Sequence, residues 1–586
     1  MRFAALLTVA LAVSCRHSPH GSEPATPAAS PQLARLAEEY WDYEMRKNPV
    51  WATFLADRRF DDQLPDLSPS GIEAARQKAR AIRAEAAAID PTPLSPRDRI
   101  TRQMMLALLE GAIDTEICEL HLWDVNALDG VQNVLGEMPQ LHSVREKHDA
   151  DTLLARYRKG GDLLDQHVSN LGRGERRGYF AAKPAVVRVI DQLETMLADP
   201  PERSVFVTTV SFPDSWSEAE RSERRAPLVE ATRTSLYPGL RRYLDFLRGE
   251  YLPRARQDVG VRANPDGERC YRARIRANTH LEMSPEEIHH LGLEQVERNL
   301  AGMKEIARRL TGGEELAAAV ERLANDPTQH VKSREELIRF AQALIARAEA
   351  KLPDVLGRLP RQRVQVKPIE EFREQSSPTG YYYNGSEAEG RPGFFYLNTG
   401  DPASHPLYLL EALTFHEAVP GHHVQGALAQ EMEGLPRFRR ELGDAAFTEG
   451  WAHYAELLAD ELGLYSGDAG RFGMLSDQAL RAVRLVVDTG MHQFGWTRER
   501  ALAYMRSHTA EPADDAAREI DRYIAWPGQA LAYKLGQLEI LELRAEARKR
   551  LGPRFDVRAF HDALLSHGAI PLPVLRGAME EWMSAR

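Results

Sequence analysis

The sequence predicts a large, mainly α-helical protein with one small β-sheet. From Leu33 to about Gly260, apolar residues recur every three or four positions, which is the spacing of helices that bury one face. Strand patterns concentrate in residues 363–398, where the runs GYYYNG and PGFFYLN combine aromatic residues with glycine and proline. After Asp401 the helical pattern returns and continues to Arg586. We therefore expect two long helical stretches joined by a short β segment.

The composition fits a globular protein with a large buried core. Hydrophobic residues make up 43% and charged residues 27% of the 586 positions, which excludes a collagen, a coiled-coil rod and a wholly disordered chain. The formal net charge is −11, and charges of both signs are interspersed. Since nucleic-acid binding requires a basic face, we expect no nucleic-acid partner.

The N-terminal segment predicts export and lipid anchoring. One positive charge precedes an apolar run at 3–13, which is shorter than the roughly 20 apolar residues that span a bilayer. Residues 12–15 (AVSC) resemble the lipobox of bacterial lipoproteins, in which the cysteine is lipidated, although alanine stands where leucine is usual. We therefore assign 1–15 to a lipoprotein signal peptide and expect Cys15 to anchor the chain in the bacterial cell envelope. The alternative is an ordinary secretory signal with an unmodified cysteine.

The rest of the chain divides into a tether and two helical regions. Residues 16–32 are rich in proline, serine and alanine and too poor in apolar residues to fold. The turn sequence NPDG at 264–267 places a soft boundary between an N-terminal helical region, 33–262, and a second region, 263–586. In the second region, the sequence SPEE from Ser284 predicts a capped helix start.

Two cysteines, Cys118 and Cys270, lie outside the signal peptide. They are far apart in the sequence and lack CxxC spacing, so neither a thiolate metal site nor a disulfide framework is indicated. A single bridge between them stays open at this point.

The densest cluster of reactive side chains lies at 416–425, HEAVPGHHVQ. Zinc peptidases with the motif HExxH place two imidazoles one helical turn apart, and the glutamate beside the first acts as general base. In this chain Pro420 occupies the fifth position, so the strict motif is absent. Because a proline removes an i→i−4 hydrogen bond and opens the helix, two extra residues can be absorbed. His416 and His422 are therefore the predicted metal ligands, with Glu417 as the base.

His423 competes with His422 for the position of the second ligand. In a regular helix seven residues return to nearly the same face, which would favour His423. An opened helix favours His422, which we prefer. The alternative without a metal is that the three histidines are surface groups or hydrogen-bonded core groups.

A catalytic zinc takes three protein ligands, so a further carboxylate or imidazole is required. The segment FTEGWAHYAE at 447–456 offers Glu449, which follows His422 by 27 residues. This separation lets the first helix end and the chain return antiparallel. Glu449 is therefore the predicted third ligand, and His453 and Glu456 are predicted to orient the ligands. The alternative for Glu449 is a solvated helical acid.

These motifs resemble those of a known family. HEAVPGHHVQ followed by FTEGWAHYAE resembles the DUF885 family of bacterial proteins, whose pattern is HExxPGHH with a downstream EGWA, and which is similar to zinc peptidases of the gluzincin type. The segments at 487–496 (VDTGMHQFGW) and 522–536 (RYIAWPGQALAYKLG) resemble the family too. The resemblance covers most of the chain after the tether and is strongest from about 380 to 536. It implies a mainly α, two-lobed, metallopeptidase-like fold with a cleft, a small β-sheet beside the active-site helix, and one Zn²⁺ per chain on the three ligands named above.

The resemblance also implies residues that act on the substrate. Similar helical zinc peptidases stabilise the tetrahedral oxyanion with late tyrosine and histidine side chains, and one such donor contributes about 3 kcal/mol. Tyr533 and His492 are the matching candidates, although Tyr533 also fits a core position. Lys534 and Arg522 are candidates for binding a substrate carboxylate, with salt bridges on a helix face as the alternative.

The predicted sheet has a place in this scheme. An extended peptide adds to an exposed strand edge through main-chain hydrogen bonds. The strand at 394–398 lies just upstream of the metal-binding helix, so Phe395, Tyr396 and Asn398 are predicted to contact the substrate. A purely structural hairpin is the alternative.

Together these features predict a lipid-anchored, zinc-dependent peptidase of the cell envelope. A deep cleft between helical lobes favours short peptides over folded proteins, and imidazole plus carboxylate ligation fits zinc. Two other classes stay open. One is a non-catalytic envelope lipoprotein with a structural or vestigial metal site, and the other is a metal-dependent hydrolase of non-peptide amides or esters.

Overall fold

The computed structural model describes residues 30–369, 374, 378–385 and 390–586. The predicted signal peptide, the lipidation site Cys15 and most of the tether lie outside these residues. Within them the chain is mainly helical with one small sheet, as the sequence predicts.

The helices before the sheet occupy residues 31–355. They are α1 (Pro31–Lys47), α2 (Pro49–Phe54), α3 (Pro69–Ala88), α4 (Pro96–Asp114), α5 (Val131–Leu141), α6 (Lys147–Arg176), α7 (Lys183–Ala198), α8 (Val205–Thr208), α9 (Glu218–Ala231), α10 (Tyr237–Phe246), α11 (Gly267–Thr279), α12 (Pro285–Thr311), α13 (Leu316–Ala324), α14 (Arg334–Glu349) and α15 (Leu352–Val355). The predicted start of α12 is confirmed, because Ser284 and Glu287 form a capping box.

The helices after the sheet run to the C-terminus. They are α16 (Leu407–Glu417), α17 (His422–Gln430), α18 (Arg437–Glu441), α19 (Ala445–Glu461), α20 (Asp468–His492), α21 (Arg498–His508), α22 (Ala513–Ala525), α23 (Ala532–Leu551), α24 (Val557–Leu565) and α25 (Leu572–Ser584). Among the described residues, no helix combines the length and the apolar character that a membrane span needs.

The sheet consists of β1 (Val364–Pro368), β2 (Gly380–Tyr383) and β3 (Gly393–Leu397). The strand order is β1-β3-β2, with β3 parallel to β1 and antiparallel to β2. The predicted substrate strand is therefore the central one, and both of its edges are already paired. This placement contradicts the expectation that a peptide adds to the strand at 394–398, since the free edges belong to β1 and β2 among the described strands.

Buried apolar residues form three large cores. The first joins α1, α3 and α4 to α14, α16–α19 and α23–α25. The second lies among α5–α10, and the third among α12, α13 and α20–α22. The last residue of the second core is Ala255, just before the predicted boundary near residue 262. Helices α1, α3 and α4, however, pack with helices from the C-terminal half of the chain.

The helices around the predicted metal motif are in close contact. α20 packs along α12 and α16, and α19 packs along α16 and α23. At the crossing of α19 and α23, a Cβ on Gly450 would lie 2.5 Å from the backbone carbonyl carbon of Gly536. The two backbones therefore touch at a point where only glycine fits. This contact fixes the position of Glu449 relative to α23.

A disulfide joins Cys118 to Cys270 and closes a sequence separation of 152 residues. The Cα atoms of the two cysteines are 4.8 Å apart. The bridge connects the segment after α4 to α11. The sequence alone does not predict this pairing, because it depends on tertiary structure.

Candidate metal centre and cleft

The motif HEAVPGHHVQ is split between two helices. α16 ends at Glu417 and α17 begins at His422, so the helix opens at the proline as expected. The indole Nε1 of Trp451, on α19, donates to the carbonyl oxygens of Pro420 at 3.0 Å and Gly421 at 3.2 Å. A Cβ on Gly421 would lie 1.8 Å from the carbonyl oxygen of His416, so this close turn requires glycine.

The break brings three predicted ligands together. The rings of His416 and His422 are perpendicular, with centroids 4.9 Å apart. The Oε2 atom of Glu449 lies 3.4 Å from Nε2 of His422 and 3.7 Å from Nε2 of His416. Ligand atoms about 2.1 Å from a tetrahedral zinc are about 3.4 Å from one another. The donor set and its spacing therefore fit one zinc ion.

Glu449 is the carboxylate of this set. Burial opposes its charge, but the adjacent imidazoles of His416 and His422 hold its pKa well below the ordinary value for glutamate. Glu449 is therefore an anion at neutral pH, which is the form that ligates a metal.

Glu456 orients His416 from behind. Its Oε1 accepts a hydrogen bond from Nδ1 of His416 at 2.8 Å, which leaves Nε2 facing Glu449. Its Oε2 accepts from Nε2 of Gln478 at 2.8 Å and lies 3.2 Å from Nδ1 of His453. Glu456 therefore contacts a proposed ligand directly, as predicted for a residue that orients the ligands. His453 contacts Glu456 and not a ligand.

His423 faces the sheet instead of the ligand set. Its Nε2 donates to the carbonyl oxygen of Gln362 at 3.0 Å, and its Nδ1 accepts from the hydroxyl of Tyr382 at 3.0 Å. Burial lowers the pKa of His423 to about 4, so the ring is neutral. Both nitrogens are engaged, and of the two neighbouring histidines it is His422 that lies beside His416.

Glu417 is the last residue of α16 and lines a cavity. One of its carboxylate oxygens lies within 4.8 Å of ligand nitrogens of both His416 and His422. Burial raises its pKa above the ordinary value for glutamate, although the two imidazoles and Arg481 oppose the shift. A half-buried carboxylate with a raised pKa beside the ligand pair has the position and basicity of a general base.

The cavity has a volume of about 650 Å³ and collects most of the predicted site. Its wall contains the three proposed ligands and the proposed base, together with Tyr533 and Arg522. These four residues are His416, His422, Glu449 and Glu417. Further lining residues come from β2 and its flanks, from α20 and from the start of α22: Pro378, Thr379, Gly380, Tyr381, Tyr382, Asn384, Asp477, Leu480, Arg481, Arg484, Glu511, Pro512, Asp515, Arg518 and Glu519. This size suits a ligand of a few residues.

Two predicted residues lie away from the cavity lining. His492 is fully buried, with Nδ1 accepting from the backbone N–H of Val261 at 3.0 Å and Nε2 donating to the carbonyl oxygen of Tyr523 at 2.9 Å. Lys534 is 2% exposed, and its Nζ donates to Gln537 at 2.8 Å and to Gln478 at 3.2 Å. These partners correct both expectations, because neither side chain reaches a substrate in the cavity.

Lys534 instead supports the ligand network. It holds Gln478, which in turn donates to Glu456. Burial lowers the pKa of Lys534 to about 7. Arg522 does line the cavity, but its guanidinium donates to both oxygens of Glu519 and to Gln529. Each of its three nitrogens therefore already has a partner within the protein.

The residues predicted to bind substrate from the sheet also require correction. Phe395 is fully buried and belongs to the core. Asn398 donates to the carbonyl oxygen of Glu374 at 2.7 Å, and Tyr396 stacks on Tyr381 with ring centroids 5.2 Å apart. The sheet meets the cavity through β2, whose second edge pairs with no strand in the described part of the chain.

Charged residues on α20 were missed by the sequence analysis. Asp477, Arg481 and Arg484 all line the cavity, and they follow a spacing of four and three residues. This spacing places them on one face of the helix. Charges that recur at this spacing on a helix rich in buried residues are the sequence signal that could have identified them.

Comparisons with known proteins identify the family and the fold. A search of curated proteins found no match. A crystal structure described as "the putative lipoprotein from Colwellia psychrerythraea" has a TM-score of 0.88 at 29% identity, over 95% of this chain and 99% of the other. A second, described as "a putative lipoprotein of unknown function from Shewanella oneidensis", shares the fold with a TM-score of 0.72 at 18% identity, over 94% of this chain and 100% of the other. The family described as "Bacterial protein of unknown function (DUF885)" matches residues 49–579, and the chain therefore belongs to the DUF885 family.

Proposed function

We propose that this protein is a zinc-dependent peptidase that cleaves short peptides, with Glu417 as general base. The observation that carries the proposal is the convergence of three ligand atoms, from His416, His422 and Glu449, beside Glu417 in the wall of one cavity. Two imidazoles and one carboxylate, with a further position left open, are the ligand set of catalytic zinc sites.

The ligand residues would hold one zinc ion per chain. When bound, zinc supplies a Lewis acid that acidifies a water molecule and polarises a carbonyl oxygen. Glu417 accepts the proton of the attacking water and returns it to the leaving amine. Tyr533 lies in the same cavity wall and donates a hydrogen bond to the oxyanion, a contribution of about 3 kcal/mol to the transition state.

The shape of the cavity favours short peptides. Its volume of about 650 Å³ holds a few residues, and its lining includes the edge strand β2. β2 lines the same cavity as His416 and Glu417, so an extended peptide bound along this strand would lie near the proposed metal centre. Folded proteins expose few segments that can enter such a space.

The protein is proposed to act in the cell envelope, anchored by lipid at Cys15. The lipobox-like sequence supports this location, and the two similar structures carry lipoprotein descriptions. The disulfide between Cys118 and Cys270 agrees with an oxidising compartment.

The test is elemental analysis combined with a peptide hydrolysis assay on the mature chain. We expect about one zinc per chain, lost in His416→Ala and kept in His405→Ala, a matched control that lines the cavity without joining the ligand set. Glu417→Gln should keep zinc and lose at least about a hundredfold in kcat. If no zinc binds after reconstitution, or if Glu417→Gln hydrolyses peptides at the wild-type rate, the proposal fails.

A further inference from the structure

α20 places three of its charged side chains in the wall of the cavity. Asp477, Arg481 and Arg484 share one face of the helix and line the cavity, while the rest of α20 packs against α12 and α16. Arg481 is 7% exposed and Arg484 5% exposed. Buried charges are retained at a cost unless each polar atom has a partner.

The two arginines are only partly paired. Arg484 donates from Nε to the hydroxyl of Tyr523 at 2.7 Å and from Nη2 to Glu519 at 2.8 Å. Its Nη1 has no hydrogen-bond partner in the described part of the chain. Arg481 forms an ion pair with Asp477, but its Nε likewise has no partner among the described residues.

The carboxylates near these arginines are already shared. Glu519 accepts hydrogen bonds from Arg484, from Arg522 and from the hydroxyl of Tyr523. Three guanidinium groups therefore divide two carboxylates, Glu519 and Asp477. Glu511 also lines the cavity, but burial raises its pKa to about 8, so it is mostly uncharged at neutral pH.

The two arginines lie beside residues of the proposed reaction. The guanidinium carbon of Arg484 is 4.2 Å from the ring centroid of Tyr533, and both arginines line the same cavity as Glu417. A guanidinium that lines a cavity and has a nitrogen without a partner among the described residues matches a carboxylate ligand, which it binds through charge-assisted hydrogen bonds.

We infer that Arg484 and Arg481 form a carboxylate-binding subsite, so that the substrates are peptides bearing a carboxylate close to the scissile bond. This inference rests on the proposed peptidase function for its reaction, but the binding subsite can be measured without turnover. The carboxylate is either the C-terminus of the peptide or an acidic side chain, and the two sources are separable.

The experiment measures peptide binding by calorimetry to the mature Glu417→Gln protein, with and without zinc. The probes are tetra-alanine as the free acid, as the C-terminal amide and as the N-acetylated free acid, together with an amide in which the last residue is glutamate. We expect the free acid to bind at least about tenfold more tightly than the amide, the size expected for one charge-assisted hydrogen bond. Recovery of tight binding by the glutamate amide assigns the subsite to side chains, and its absence assigns it to the C-terminus.

Variants assign the preference to the arginines. Arg484→Gln should remove the difference between acid and amide, Arg484→Lys should keep part of it, and Arg481→Gln should reduce it. Arg518→Gln is the matched control, since this exposed arginine lines the same cavity and pairs with Asp515. Thermal unfolding of each variant verifies that it is folded.

Three results would overturn the inference. The first is equal binding of the tetra-alanine acid, the tetra-alanine amide and the glutamate amide, including no measurable binding of any probe. The second is an affinity that falls on N-acetylation of the peptide but not on amidation. The third is an Arg484→Gln protein whose affinity for the acid and for the amide falls by the same factor. Hydrolysis of the free acid by the zinc-loaded wild type is scored separately: its absence refutes the proposed function while the binding result stands.

Discussion

Substitution of Gly450 by alanine is expected to destabilise the protein and weaken the metal centre together. The new Cβ would lie 2.5 Å from the carbonyl carbon of Gly536, where apolar contacts normally begin near 3.5 Å, so α19 and α23 must separate by roughly 1 Å. Overpacking of this kind costs about 1–3 kcal/mol, and the better helix propensity of alanine returns at most about 1 kcal/mol. With that full gain, the net loss is up to about 2 kcal/mol.

The neighbouring residue connects this strain to the site. Glu449 precedes Gly450 on α19, so the shift moves a proposed zinc ligand that lies 3.4 Å from His422. We expect the zinc affinity to fall at least about tenfold. Calorimetric melting of the metal-free protein and competition with a chromophoric chelator measure the two effects independently.

The control is a second helical glycine with open space around it. No heavy atom lies within 4 Å of a Cβ built on Gly577, in α25. Gly577→Ala should therefore raise stability by up to about 1 kcal/mol and leave zinc binding unchanged. The reasoning would be refuted by a Gly450→Ala protein that melts at or above the wild-type temperature with wild-type zinc affinity.

Three further predictions follow from the structure. Tyr533→Phe should lower kcat by about a hundredfold or more with little change in KM, because the hydroxyl acts on the transition state; a changed KM alone would remove this role. Burial raises the pKa of Asp488 to about 7, so the folded state holds a proton that the unfolded state releases near pH 4. The free energy of unfolding should therefore fall as pH rises from about 4 to 7. Denaturant titrations should show a flatter pH dependence for Asp488→Asn. Serine at both Cys118 and Cys270 should lower stability by about 2–5 kcal/mol in thermal unfolding and leave zinc binding intact, whereas lost zinc would mean that the bridge shapes the site.

The helices and the proximity of His416, His422 and Glu449 are the parts that the sequence predicts well. Both depend on local patterns: the capping residues at Ser284 stand next to the helix that they start, and the proline in the motif forces the opening that selects His422 over His423. His422 and Glu449 are also close enough in the sequence for the chain to end one helix and run back antiparallel in another.

The remaining assignments depend on contacts between distant segments. The order of the strands is set by pairing across the sheet, so the central position of β3 cannot be read from a run of aromatic residues. His492 and Lys534 have the chemistry of site residues, but tertiary packing turns one toward Val261 and the other toward Gln537. The pairing of Cys118 with Cys270 is of the same kind.

The division of the metal motif between α16 and α17 bears on the order of folding. In a continuous helix, two imidazoles one turn apart take their positions as soon as that helix forms. Here the turn that brings His422 to His416 is held by the indole of Trp451, and Glu449 comes from the same helix, α19. The proposed ligands reach their positions only after α19 has docked, so a metal bound by them would report completed tertiary structure in this half of the chain.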